Sequence, residues 1–529
     1  MESRRVVLLL ATLSSLCAFA AAIHNEELRV RPLPRVSKVL THFRFSTDEE
    51  DGHAVESSIP NVIRHILEKY DAASLHLSFG VGRYTDARYG PAHAVGETVD
   101  SFHAPYGTRL QVEFNGNETS PVVLMERWKG VTSELGGIFS ASLNQMDETT
   151  VTTLLASSSS EELGAYATVG AGHNPTQFWQ ASLPREEFCT ENLAPWLKML
   201  PCRAHAGFGA LIDPIQVLSS EYLTMSVLAS HDRVTGKWKL EQRLTAINKW
   251  EEATSRPWTL RSLVQEKTAL HACPIAKNSA IVTEKVGSKD VTTTDLKAAS
   301  EGLGLDAPWI QPVQDGSAST QDLVRVHRFL TGYGQVHGGV AVRLENHDPR
   351  CSMQVRYHDV TPWYLRMYFH TFKTQVISLE TNEPLGNAQL SSFEFAPAES
   401  RGRPNHFQVH LEIPPQSAVV MSVQFDKVFV RLSEHPPDAN RGFDIPSGIA
   451  TVTSGASCAS TSQDFTRLLY TEPLLVALPT PDFSMPYNVI TLTSTVVVFF
   501  AGKMLNTLLR KAPRIQRMLA TNDQPKSTT

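Results

Sequence analysis

FQVHLEI, residues 407–413, alternates apolar and polar side chains without a break: Phe407, Val409, Leu411 and Ile413 against Gln408, His410 and Glu412. A period of two marks a strand with one buried face and one wet face. Val423 and Phe425, then Val428, Val430 and Leu432, repeat the pattern with a slip at Asp426 and Lys427, which predicts a bulge or a turn there. The same texture recurs at residues 75–79, 108–114, 222–228, 340–344 and 353–357, with Pro and Gly punctuating the intervals. No run of strands alternating with long helices appears, so the pattern predicts antiparallel β-sandwiches rather than a doubly wound sheet.

Helices are few. Ser58 is placed to cap one beginning at Pro60, with Ile63, Ile66, Leu67 and Tyr70 as its apolar stripe. A second is expected over residues 131–143, weakened by Gly136 and Gly137. Stretches rich in Ser, Thr, Gly or charge lie at 156–163 and 287–316, and the second is the better boundary. The fold class is therefore mostly β: an α+β N-terminal region over residues 23–310, an antiparallel β-sandwich over 311–486, and one C-terminal transmembrane helix.

That helix rests on the apolar run 489–502, fourteen residues, extended to 487–509 to reach the roughly 20 a bilayer needs, with Lys503 snorkelling. Lys503, Arg510, Lys511, Arg514 and Arg517 crowd its C-terminal side. The positive-inside rule then places residues 510–529 in the cytoplasm. At the other end, Arg4 and Arg5, an apolar stretch and the small residues Ala18, Ala20 and Ala22 describe a secretory signal peptide over residues 1–22. Together they predict a single-pass type I protein, and Asn117-Glu118-Thr119 is a glycosylation acceptor on the expected side.

The charge balance is slightly acidic, −6, with no basic run before the membrane segment, which excludes a nucleic-acid partner. The sequence has no Gly-x-Ser-x-Gly elbow, no His-Glu-x-x-His helix and no Walker lysine motif, so neither a catalytic set, a metal cluster nor a cofactor is expected. Gly332, Gly334, Gly338 and Gly339 lack dinucleotide-fingerprint spacing and read as turns around strands. His370, in a strand-like run, reads as structural.

Of six cysteines, Cys17 leaves with the signal peptide, and an odd set remains: Cys189, Cys202, Cys273, Cys351 and Cys458. In an oxidising compartment an odd count implies a free thiol or a bridge to another chain. Glu186, Glu187 and Glu191 surround Cys189, and negative charge disfavours a thiolate nucleophile. A local disulfide to Cys202 is the plain alternative, and a membrane-anchored cysteine hydrolase using Cys189 the catalytic one.

The stretch YTEPLLVALPTPDFSMPYNVI, residues 470–490, resembles the PIG-T subunit of the glycosylphosphatidylinositol (GPI) transamidase complex. So do GIFSASLN at 137–144, LPREEFCTENLAPW at 183–196, the LPC ending at Cys202, TGYG from Thr331 and TPWYLRMYFHT at 361–371. The resemblance implies a non-catalytic, scaffold subunit in the endoplasmic reticulum membrane. It would hold a PIG-K type catalytic chain through an intersubunit disulfide at the position of Cys189, beside the other membrane subunits. Cys202 would pair with Cys273, and Cys351 with Cys458, the last by arithmetic alone. Ala194 removes the hydroxyl residue that would make Asn192 a glycosylation site. At the membrane entrance, Asp482, Ser484, Tyr487 and Asn488 are expected to help form the GPI-lipid site, with Asn488 hydrogen-bonding the headgroup. Pro479, Pro481 and Pro486 are expected to bar a continuous helix before Tyr487. The basic and polar residues after the apolar run also distinguish this end from a GPI-attachment signal.

Overall fold

The computed structural model describes residues 22–33, 36–50, 58–92, 102–116, 120–154, 176–186, 188–250, 257–264, 269–284, 291–298, 303–306, 308–310, 323–332, 334–435, 441–454, 466–480 and 484–522. Cys458, Asn117, Asp482 and residues 1–21, where a signal peptide is expected, lie outside these.

The N-terminal part is built on a ten-stranded sheet. From one edge its strands run Val291–Asp295, Ala276–Glu284, Ile23–Leu33, Lys38–Glu50, Lys237–Lys249, Tyr222–Asp232, Ala72–Val81, Gly107–Asn115, Thr176–Leu183 and Thr152–Thr153. Every neighbouring pair is antiparallel except one. Ile23–Leu33 lies parallel to Ala276–Glu284, with Val30 opposite Thr283. Alternation gives the sheet two different faces. Leu28, Phe43, Leu75, Leu77, Leu110, Val112, Met225 and Leu244 fill one face and are buried.

Three helices cover that face. Asn61–Lys69 buries Ile63, Ile66 and Leu67, as the stripe predicts, with Pro60 rather than Ser58 at its N-cap. The second expected helix is longer and earlier than read. It runs Pro121–Phe139, Pro121 supplies its first turn, and it ends at Ser140 in the left-handed conformation, φ 51°. Leu143 belongs to a following 3₁₀ turn. A Cβ at Gly130 would stand 2.1 Å from the Tyr70 ring, so glycine there lets two helices approach. The third helix, Thr190–Lys198, buries Leu193 and Trp196.

The opposite face combines a small apolar cluster, with Leu40, Tyr222 and Ile247, and buried polar side chains. His42 Nδ1 meets Thr245 Oγ1 at 2.8 Å, and His76 Nδ1 meets Gln111 Oε1 at 3.0 Å. Burial alone would raise the Glu241 carboxyl, but Arg243, Arg44 and Lys239 outweigh it and hold it down to about 2.

The C-terminal part is a sandwich of two five-stranded antiparallel sheets. One runs Val324–Thr331, His337–Asn346, Ser417–Lys427, Leu365–Ser378 and Pro384–Gly386. The other runs Leu390–Ala396, Asn405–Ile413, Met353–Thr361, Ile449–Ser454 and Thr466–Tyr470. Val340, Val342, Leu344, Val419 and Met421 from the first sheet meet Val355, Tyr357, Phe407, Val409 and Leu411 from the second in one core. The opening stretch FQVHLEI is thus a strand with its odd positions inward. The slip at Asp426 and Lys427 is the strand's end, where Val428 leaves the ladder and its N–H bonds Tyr364 O at 2.9 Å. His370 is an exposed strand residue.

The two parts are tied by polar contacts. Arg83 pairs with Glu472 and donates from Nη2 to Val326 O at 2.7 Å. His327 Nδ1 lies 3.0 Å from the Glu472 carboxylate, whose other oxygen accepts from Arg328 N at 2.8 Å. Deeper, Arg328 donates to Asp359 at 2.8 Å, both fully buried, and Tyr357 OH donates to the same carboxylate at 2.8 Å.

A helix Ser484–Asn522 forms a separate unit. It starts before Tyr487, correcting the expectation drawn from its prolines. Pro486 falls in the first turn, where its missing N–H has no helical partner to lose. Tyr487–Ala520 is long and apolar enough to cross a membrane, with a mean hydropathy of 1.5 over its best window.

Candidate functional site

Cys189 begins the helix Thr190–Lys198 as its N-cap, with extended backbone, and its thiol is free and exposed. The rest of that corner is fixed. Cys189 N–H donates to Asn192 Oδ1 at 2.7 Å, and Asn192 Nδ2 donates to Phe139 O at 2.7 Å. Asn192 is buried, so one amide bridges the start of the Cys189 helix and the end of the long helix. Phe188, next along, packs against Phe79 with ring centroids 6.1 Å apart. Further into the helix, Trp196 Nε1 donates to Ser226 O at 3.0 Å, while Gln242 Nε2 donates to Trp196 O at 2.9 Å. Glu186 accepts from Ser142 N at 2.7 Å, turning that carboxylate toward the neighbouring loop. The result is a free sulfur exposed at the start of a helix whose backbone is pinned.

Cys202 is bonded to Cys273, with Cα atoms 5.8 Å apart, so the local bridge from Cys189 to Cys202 does not form. Cys351 is also disulfide-bonded. Ligand atoms of His24, Glu26 and Cys273 cluster within 4.8 Å, the one grouping of metal-ligand type among the described residues. Because the sulfur of Cys273 is committed to Cys202, that group is not a metal site. No histidine hydrogen-bonds Cys189 among the described residues, so the geometry there offers a thiol without a general base.

At the membrane helix, Ser484 opens the first turn, and Tyr487 and Asn488 follow, both exposed. Residues three and four apart share a helix face, which sets Ser484, Asn488, Thr491 and Thr495 along one stripe. The threonine hydroxyls are satisfied internally: Thr491 donates to Tyr487 O and Thr495 to Thr491 O, each at 2.7 Å. Among the described residues the amide of Asn488 has no such local use.

Sequence reading singled out Cys189 and passed over Asn192 except as a lost glycan acceptor. The signal was present, since an amide three residues after an N-cap is the spacing of a reciprocal helix cap.

Curated relatives match this sequence across nearly the entire chain. Mouse GPI-anchor transamidase component PIGT is 29% identical over 92% of this chain and 89% of its own length. The human protein of that name is 29% identical over 92% of this chain and 90% of its own. The GPI transamidase component GPI16 of Saccharomyces cerevisiae is 26% identical over 93% and 89%. A solved collagen-binding subdomain of the Enterococcus faecalis surface protein ACE aligns with 29% of this chain and 97% of its own at a TM-score of 0.20 and 6% identity, too slight a likeness to bear on function. The profile of the Gpi16 family, described as the Gpi16 subunit, GPI transamidase component, matches residues 7–259 and 250–528, and the chain belongs to that family.

Proposed function

We propose that this chain is the scaffold of a GPI transamidase, holding a separate catalytic chain by a disulfide from Cys189 and contributing to the GPI-lipid site at Asn488. The observation that carries this reading is the state of the cysteines. Cys202, Cys273 and Cys351 are in disulfides, while Cys189 stays reduced and exposed on a ledge whose backbone is pinned. A protein that retains one accessible thiol in an oxidising compartment has a use for it outside its own fold. The catalytic chain would be of the PIG-K type, and this chain would take no chemical step. Its orientation would be type I in the endoplasmic reticulum membrane, with residues 23–486 lumenal, retained by assembly with the other membrane subunits. Asn488, with Ser484, Tyr487 and Asp482, would then face the phosphates and sugars of the glycolipid.

A non-reducing gel of the complex separates the readings. The native chain should run as a high-mass band containing a second polypeptide, and Cys189→Ser should abolish that band while leaving partial transamidase activity. Hydrolysis by the purified chain alone, lost in Cys189→Ser, would support the cysteine hydrolase instead. Delivery of the chain to the cell surface without partners would support an adhesion receptor.

A further inference from the structure

We infer that the outer edge of the strand Leu390–Ala396 is a docking site for an extended segment of another subunit, added to the sandwich as a further strand. The inference rests on the scaffold reading, and it locates a second point of attachment remote in sequence from Cys189. Unpaired strand edges invite association, and proteins blunt the ones they do not use. This sandwich has four outermost strands. On Val324–Thr331 the carbonyl of Val326 accepts from Arg83 and the N–H of Arg328 donates to Glu472. On Thr466–Tyr470 the carbonyl of Leu468 meets His103 Nε2. Pro384–Gly386 is three residues long and begins with proline. Leu390–Ala396 is seven residues, has no proline, and is hydrogen-bonded to Asn405–Ile413 alone among the described strands.

It carries a single charge, Glu394, set between the two aromatic residues Phe393 and Phe395. Phe395 is 48% and Leu390 39% exposed. In the other sheet, the strand Leu365–Ser378 breaks register between Tyr368 and Lys373, where five steps along one strand face two on its partner. That wide bulge turns Phe369 and Phe372 toward the edge. Phe369 stacks on Phe395 with centroids 4.5 Å apart, and Phe372 on Phe393 at 4.4 Å. Thr371 secures the bulge by donating to Tyr368 O at 2.7 Å and accepting from Gln424 N at 2.9 Å. A row of part-exposed phenyl rings beside an open ladder fits one kind of occupant: a β-strand whose alternate side chains are apolar. Family membership as a component of a larger assembly makes that occupant another subunit rather than a second copy.

The test uses the assembled complex in membranes. A photo-reactive amino acid in place of exposed Ser391 should cross-link to another subunit, through a peptide with alternating apolar residues. The same probe at Val234, exposed on a distant hairpin, should not. Phe395→Lys should cut recovery of that subunit about tenfold, the scale of a lost aromatic anchor. The disulfide of Cys351, which lies beside the sandwich strand Met353–Thr361, reports that the variant has folded, and the cross-link from Ser391 stands even if it has not. Absence of a Ser391 adduct in an intact complex, or an adduct only to a second copy of this chain, would overturn the inference. A Cys189-linked band that persists in that case leaves the scaffold reading standing, so the two failures are told apart.

Discussion

The side chain of Asn192 receives the backbone N–H of Cys189 at 2.7 Å while its other end holds the carbonyl of Phe139, so the position of the free thiol depends on one buried amide. Asn192→Ala leaves two backbone groups without partners. The expected cost is about 1–3 kcal/mol, the range for a lost cap and a buried unsatisfied group. Thermal unfolding measures the cost. Labelling of Cys189 by a maleimide should become more heterogeneous, and the proposed intersubunit disulfide should form in lower yield.

Arg328 and Asp359 form a fully buried ion pair, closed by Tyr357 OH. Removing one charge strands the other, so Asp359→Leu or Arg328→Met alone should cost about 3–5 kcal/mol. The double variant should recover much of that loss. Denaturant unfolding of the three variants checks the expectation, and equal loss in all of them would contradict it.

Cys202 and Cys273 are 71 residues apart in sequence. Loop-closure entropy for a span of that length is about 4 kcal/mol, so Cys273→Ser should lower stability by that order. The change should appear as a fall in melting temperature, and reductant should lower the parent chain by more than the variant, which keeps only the Cys351 disulfide.

Acid should loosen the sandwich before it affects the membrane helix. Burial pushes His406 down to about 4, and His76, also by burial, down to about 4. A histidine that binds its proton more weakly when folded contributes stability in full above about pH 6.5, and loses it as pH falls toward 4. At pH 5 the stability lost at His406 alone is roughly 2 kcal/mol. Melting temperature against pH should therefore slope down between pH 6.5 and 4, and His406→Gln should flatten the slope.

The sandwich was legible wherever apolar and polar side chains alternate, as over the seven residues Phe407 to Ile413, although Gln408 on the polar face is itself buried and only Glu412 is exposed. Ile23–Leu33 and Lys38–Glu50 escaped notice because their outer face carries Glu27, Arg29, Arg44 and Ser46, and their inner face mixes Glu26 and Thr47 with Leu28 and Phe43. The pairing of Ile23–Leu33 with Ala276–Glu284 joins positions some 250 residues apart, and no local pattern encodes it. The long helix was clipped because glycines inside it lower propensity, while Gly130 is there for the ring of Tyr70. At the thiol, composition gave only an odd number, and the residue was chosen by resemblance. That Asn192 builds its ledge emerged from the geometry.

The parallel pairing has a kinetic meaning. Ile23–Leu33 is the first of the described strands to be synthesised, yet its outer neighbour, Ala276–Glu284, is not complete until the ribosome has added about 250 further residues. At roughly 5–20 residues per second that interval is on the order of ten to fifty seconds. For that time a strand lies with one side open in a half-made molecule, and chaperones must shield it. Folding of this subunit is therefore paced by translation, and slowing synthesis upstream of residue 284 should lengthen its dependence on them.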